Sequence, residues 1–202
     1  YQEGIGKNWA NLPGSPKPFA RFETNNHFSM ELNSRGGCHL VLIVTLIFSS
    51  SVAFAQHEDA ITKGATKYSK ALVKAEWEKV LDLTYPEIIT KNGGRQAMIN
   101  KSKAFEQEMQ QRGFELQKAE LSDPLEIYPS GKFLMCAVPM RLTFNGPLGK
   151  LYSESSLLAV SSDDGKTWTY IDMAQVQINQ LAEIFPEINS KLSIPPKRIS
   201  QD

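Results

Sequence analysis

"SSDDGKTW", Ser161–Trp168, lies where two apolar stretches meet, "KLYSESSLLAV" (150–160) and "TWTYIDM" (167–173). Asp163 and Asp164 carry short acceptors that can take backbone N–H groups inside a turn, and Gly165 supplies the positive φ that a tight reversal needs. Trp168 follows at once, placed to pack on a sheet or core. The octet therefore reads as the tip of a hairpin. Upstream, "KFLMCAVPMRLTF" (132–144) puts Leu134, Cys136, Val138, Met140, Leu142 and Phe144 at every second position, one wholly apolar strand face. Phe133, Met135, Ala137, Pro139, Arg141 and Thr143 occupy the other face, where Pro139 predicts an edge or a bulge because it cannot donate to a ladder. "NGPLG" (145–149) turns this strand into the next. The result is an antiparallel meander of long strands joined by tight turns. Two shorter strands are expected before it, "FELQKAELS" (114–122) and "LEIY" (125–128), broken at Asp123–Pro124 and followed by a turn at "PSG" (129–131).

The period is different ahead of Gly113. Ile61, Ala65, Tyr68 and Leu72 recur at helical spacing, and Trp77, Val80, Leu81 and Thr84 form a second group on a face turned away from the first. That change of phase predicts a bend near Lys74–Glu76, with a long helix followed by a short one. Pro86 suits the first turn of another short helix, and Gly93–Gly94 stops it. "RQAMINKSKAFEQEMQQRG" (95–113) is the next helix; its stripe of Met98, Phe105 and Met109 is expected in the core. After the meander, "AQVQINQLAEIF" (174–185) reads as a last helix, followed by "PEINSKLSIPP" and a polar tail.

The first 55 residues read differently. From Met30, a basic Arg35, an apolar run from Leu40 to Phe48 and the small-x-small "AFA" (53–55) make the pattern of a secretory signal peptide cleaved before Gln56. The apolar run is short for a transmembrane anchor. Residues 1–29 are expected to be an over-extended gene call or a disordered leader, and 56–202 a single domain. The whole chain carries 22 Lys+Arg and 22 Asp+Glu; without the four basic and three acidic residues before Gln56 the balance is 18 to 19, a net of −1. Such a balance offers no footprint for nucleic acid, and no stable membrane insertion is expected once the signal is removed. Cys38 lies in the signal, so Cys136 stands alone as a buried thiol with no disulfide partner. His27 and His39 are also upstream. Only His57 remains, two residues into a frayed new terminus, which leaves a Ser-His-Asp or Cys-His constellation without a plausible base and excludes a multi-histidine metal site.

Two resemblances bear on these residues. S-x-D-x-G-x-T-W resembles the Asp-box of sialidase-type propellers. A propeller, however, needs at least four blades, and neither a second octet nor a 40–50-residue repeat is found. The order of the other elements is similar to that of the nuclear transport factor 2-like superfamily: "YSKAL…EWEKVLDLTYPEII", a "GGRQAM" entry to a long helix, then a strongly curved meander. The similarity runs from about Ile61 to Met173, and "SSDDGKTWTYIDM" looks like the last hairpin of secreted bacterial members. It implies an α+β, cone-shaped domain in which N-terminal helices pack in a curved, mostly antiparallel sheet, with a C-terminal helix added. The superfamily includes ketosteroid isomerase, polyketide cyclases, dehydratases and non-catalytic binding or dimerising modules, so fold alone leaves function open.

Three functions are therefore weighed. A binder would hold a small apolar molecule in the cone, lined by Tyr68, Trp77, Phe105, Met135 and Tyr170, unless these side chains simply fill it. A carboxylate enzyme of the isomerase or cyclase type would draw on Glu154 and Asp172, each two residues after a tyrosine on adjacent strands, with Arg141 beside them. The alternative for these charges is a solvated face or a structural pair with Arg141. No catalytic residue is carried over from the isomerase, and the dehydratase-like members use a histidine that this domain lacks. A homodimeric interaction module is the third class. The expectation is a non-catalytic exported domain, binder or dimer, needing no cofactor or metal.

Overall fold

The computed structural model describes residues 40–176 and 178–202; the leader (1–29) and residues 30–39 of the expected signal lie outside them. The chain is α+β, a strongly curved antiparallel sheet with helices. Helix α1 (Leu40–Val73) carries the expected stripe, and Ile61, Ala65, Tyr68 and Leu72 are all buried. It ends where the change of phase predicts: Ala75 takes a left-handed φ of 52°, and α2 (Trp77–Asp82) starts on a new face with Val80 and Leu81 buried. Helices α3 (Pro86–Lys91), opened by its proline, and α4 (Arg95–Gln111) follow. Among the described residues no helix is long and apolar enough to cross a membrane.

The meander is formed by β3 (Phe133–Gly146), β4 (Gly149–Ser161) and β5 (Thr169–Asp172), with β1 (Glu115–Leu121) on the far side of β3. The apolar face of β3 behaves as its alternation requires. Cys136, Val138, Met140 and Leu142 are buried in one cluster with α1, α2 and the same face of β4 and β5, and Leu134 and Phe144 pack at its margin. Pro139 falls where the outer edge of β3 changes partner, between its pairings with β1 (140–145) and with β2 (Tyr128–Ser130), so its missing N–H costs no ladder bond. A second cluster covers part of the opposite face. There Met135, Leu158, Val160 and Ile171 meet Leu181, Ile184 and Phe185 of α5 (Ile178–Ile184) and its exit.

Four expectations are corrected. Of "LEIY" only Tyr128 pairs in a strand; Leu125 makes a single bond to the Ala137 carbonyl, after Pro124 has interrupted the ladder. Pro129 and Ser130 belong to β2, so the reversal falls at Gly131–Lys132. His57 is no frayed end: it lies within α1, its ring against Gly165 and edge-on to Trp168 at 6.2 Å. The polar tail ends in a strand, β6 (Arg198–Gln201), antiparallel to Leu151–Glu154 of β4. Its residues are all exposed and show no alternation, so only the pairing reveals it.

One side chain ties the helices to the sheet. Tyr170 of β5 is fully buried and donates its hydroxyl hydrogen to the Ile61 carbonyl at 2.8 Å. Gly64 leaves the space it needs, since a Cβ there would run into the phenol. Gly64→Ala should therefore destabilise the fold by ~2 kcal/mol or more through overpacking. Tyr170→Phe should cost about 1 kcal/mol, the worth of one hydrogen bond. Chemical denaturation of the two single variants and the double variant should show coupling, because removal of the hydroxyl relieves the nearest clash.

Candidate functional site

The five residues expected around an apolar cavity do not share one. Tyr68 and Tyr170 are buried together, ring centroids 6.1 Å apart, in the α1-facing cluster. Met135 is fully buried on the other face of the sheet, against α5. Trp77 packs at the margin of the first cluster and donates its indole N–H to Glu106 at 3.0 Å. Phe105 is 58% exposed, which corrects its place in the core: α4 buries Ile99 through contacts with α2 and α3, and Phe105 lies off that face. Ile61, Ala65, Leu157 and Ala159, all with no exposed surface, occupy the interior that a ligand would need.

Asp172 and Glu154 are separated in the same way. Asp172 accepts from the Ala174 backbone N–H at 2.8 Å and from the Gln175 side chain at 3.3 Å, so its carboxylate closes the turn that follows β5. Burial raises its pKa, offset in part by those hydrogen bonds. Tyr68 is raised as well, by burial first and then by the Asp172 charge. Cys136 is the buried thiol expected, donating to the Leu125 carbonyl at 3.0 Å, with a pKa pushed up to about 12 by burial first and then by Glu58. A thiol held this far above neutral pH is a poor nucleophile.

Arg141 and Glu154 do come together, on the outer face of the sheet. They are direct partners across β3 and β4, Nε to Oε1 at 3.8 Å, both about half exposed. The registers extend the row in both directions: Glu120 of β1 is the partner of Arg141, and Arg198 of β6 is the partner of Glu154. Four adjacent strands thus present Glu120, Arg141, Glu154 and Arg198 as a ladder of alternating sign. The next row is Lys118, Thr143, Tyr152 and Ser200. Lys118 reaches Glu120 at 2.7 Å, and this hydrogen bond and charge hold the Glu120 carboxyl below its usual pKa. The Arg141 guanidinium lies 4.3 Å from the Tyr152 ring centroid, and Tyr152 donates to Asp202 at 2.6 Å. An open cleft of about 430 Å³ adjoins the ladder, bounded by Pro139, Pro195 and Pro196. Ser155, which lines this cleft, and its neighbour Ser156 have buried hydroxyls with no partner.

Sequence reasoning reached Arg141 and Glu154 but not Glu120 or Arg198. One signal was present: a two-residue loop at Pro147–Leu148 pairs Gly146 with Gly149 and so sets Arg141 opposite Glu154. Nothing local marks Arg198, because β6 has no strand pattern.

The octet forms a closed turn. Asp163 accepts from the Thr167 backbone N–H (2.9 Å), the Thr167 hydroxyl (2.7 Å) and the Ser161 hydroxyl (2.8 Å). Gly165 donates to Ser161 at 2.9 Å, and Trp168 donates its indole N–H to the Gly165 carbonyl at 3.0 Å. Both Asp164 and Gly165 have positive φ, 57° and 81°. Three hydrogen bonds to this one carboxylate hold the hairpin closed. No protein-family model matches the chain, and no curated protein matches it.

These hydrogen bonds, led by that of Thr167, hold the Asp163 carboxyl at a pKa of about 2, below its ordinary ~3.9. A depressed pKa contributes stability above the unfolded value, and that contribution is lost as pH falls from about 4 toward 2. The urea midpoint should drop between pH 5 and pH 2.5, and it should drop less in Asp163→Asn, which starts lower because the turn is already weakened.

Proposed function

We propose that this domain is an exported, non-catalytic interaction module that self-associates through the outer face of its sheet. The observation that carries this reading is the order of charges in the ladder. Read from Glu120 to Arg198 the signs run minus, plus, minus, plus; read backward they are the complement. A two-fold axis lying in the plane of the interface, along the strands between Arg141 and Glu154, sets Arg141 against Glu154 of a second copy and Glu120 against its Arg198. Self-complementarity of this kind is what an isologous dimer requires. Half-exposed pairs of this sort add little to the stability of a single chain, whereas a matched row across an interface sets register and suppresses wrong partners.

The filled interior favours this reading over a ligand held between helices and sheet. The order of the elements, similar to that of nuclear transport factor 2-like domains, agrees with it, since such domains include dimerising modules. Among the described residues no group of three or more His, Cys, Asp or Glu could hold a metal ion. A carboxylate enzyme is supported less, because each Asp172 oxygen already accepts a hydrogen bond from its own turn.

Sedimentation velocity at micromolar concentrations and low salt should give a dimer that weakens as salt rises. Arg141→Glu should dissociate it, by about tenfold or more in Kd, since two like-charge contacts replace two pairs. Adding Glu154→Arg restores complementarity and should restore the dimer; a wild-type chain that stays monomeric defeats the reading. Export rests on the pattern ending at Ala55. N-terminal sequencing of the protein recovered from its own host should begin at Gln56.

A further inference from the structure

We infer a second site, independent of the ladder: a saccharide-binding cleft beside the last hairpin, which takes a neutral pyranose ring. The cleft measures about 480 Å³, within the range of small-molecule sites. Six of its lining residues define its chemistry: Tyr85, Glu87, Lys132, Phe133, Thr167 and Thr169. It reaches β4 at Val160, six residues from Glu154, about 20 Å at ordinary strand rise.

Its wall is aromatic and braced. Tyr85 and Phe133 meet edge to face at 6.3 Å and 85°, and both lean on Phe185, at 5.1 and 5.2 Å. Phe185 is 2% exposed, whereas Tyr85 and Phe133 are only partly buried and keep ring surface toward the cleft. The faces of such rings are electron-rich and suit the weakly positive C–H groups on one side of a sugar ring.

Three of the polar groups can only accept. Thr169 spends its hydroxyl proton on the Val160 carbonyl at 3.2 Å, and Thr167 spends its own on Asp163 at 2.7 Å. Each is left with lone pairs alone to offer, and the Glu87 carboxylate also only accepts. Lys132 is the one donor of the six with no acceptor capacity, its ammonium 5.2 Å from the Phe133 ring centroid. The Tyr85 and Ser162 hydroxyls, which line the same cleft, can donate or accept. Mixed acceptors and donors beside an apolar wall match a ring with several O–H groups along one edge and C–H groups on a face.

Other chemistries fit less well. A cationic ligand would meet Glu87, but Lys132 already takes the cation position over Phe133 and would repel it. An anion would meet Lys132 but also the Glu87 carboxylate, which repels it. A flat aromatic molecule would stack on the wall and leave the acceptors unpaired.

The test uses the full domain and saturation-transfer NMR with methyl glucoside, maltose, cellobiose and diacetylchitobiose, with choline and benzoate as the cationic and anionic probes. At least one saccharide should bind, with affinity then measured by calorimetry. Phe133→Ala and Thr169→Val should each weaken that affinity by about tenfold or more. Thr169→Val keeps the branched shape of the strand residue, so it remains informative should Phe133→Ala fail to fold. Arg141→Glu should leave saccharide affinity unchanged even where it dissociates a dimer. Absence of binding by all four saccharides at millimolar concentration overturns the inference. So does a preference for choline or benzoate, or saccharide binding that Thr169→Val and Glu87→Gln leave intact.

Discussion

The hydroxyl of Tyr170, fully buried, reaches the backbone carbonyl of Ile61 across 109 residues of chain, through the gap that Gly64 leaves in the helix. The same residue joins the segment between the second and third helices by its main chain: its N–H donates to Leu83, and its carbonyl accepts from Tyr85. One residue therefore sets how close the long helix lies to the sheet and where the next helices begin. A buried phenol can be held this way only if its proton has a partner, because an unpaired hydroxyl in an apolar interior is costly. The glycine and the tyrosine form a matched pair, one supplying space and the other filling it.

Depth of packing differs along the sheet, and that difference separates a two-sided core from a face open to water. At the β5 end, both faces of β4 are covered, by α1 on one side and by α5 with its exit on the other, so every residue from Ser155 to Ser161 is buried. At the β6 end only the helix side is covered. There the outward pair Glu154 and Arg141 is charged and about half exposed. Side chains that would be excluded from a two-sided core are tolerated on a one-sided sheet, because water still reaches them. The last hairpin lies at the covered end, closed by Asp163 and seated on His57 and Trp168, with Phe133 and Tyr85 making an aromatic margin.

Much of this layout could be read from the chain. The every-second apolar positions of Leu134 to Phe144, the helical stripe from Ile61 to Leu72, and the change of phase before Trp77 all report which way side chains point within one element, and all hold in the structure. Phe105 shows where such reading ends: a stripe predicts a buried face only if another element covers it, and α4 turns Ile99 inward instead. The cleavage pattern predicts a frayed end at His57, because its partners, Gly165 and Trp168, lie more than a hundred residues away. The candidate site was half legible. Arg141 and Glu154 are tied by a short turn whose length sets their register, while Glu120 and Arg198 join them only through pairings whose partners nothing local specifies.

The sequence by itself determined the α+β class, the meander with its tight turns, the apolar face of its longest strand and the architectural role of SSDDGKTW, because periodicity and turn chemistry act over a few residues. Only the tertiary structure decided that a polar tail becomes an edge strand, that the residues expected around one cavity are divided between two cores and the surface, and that four charges on four strands form a single alternating row. Those outcomes depend on which distant segments share hydrogen bonds and cover one another's faces, and no local pattern encodes that choice.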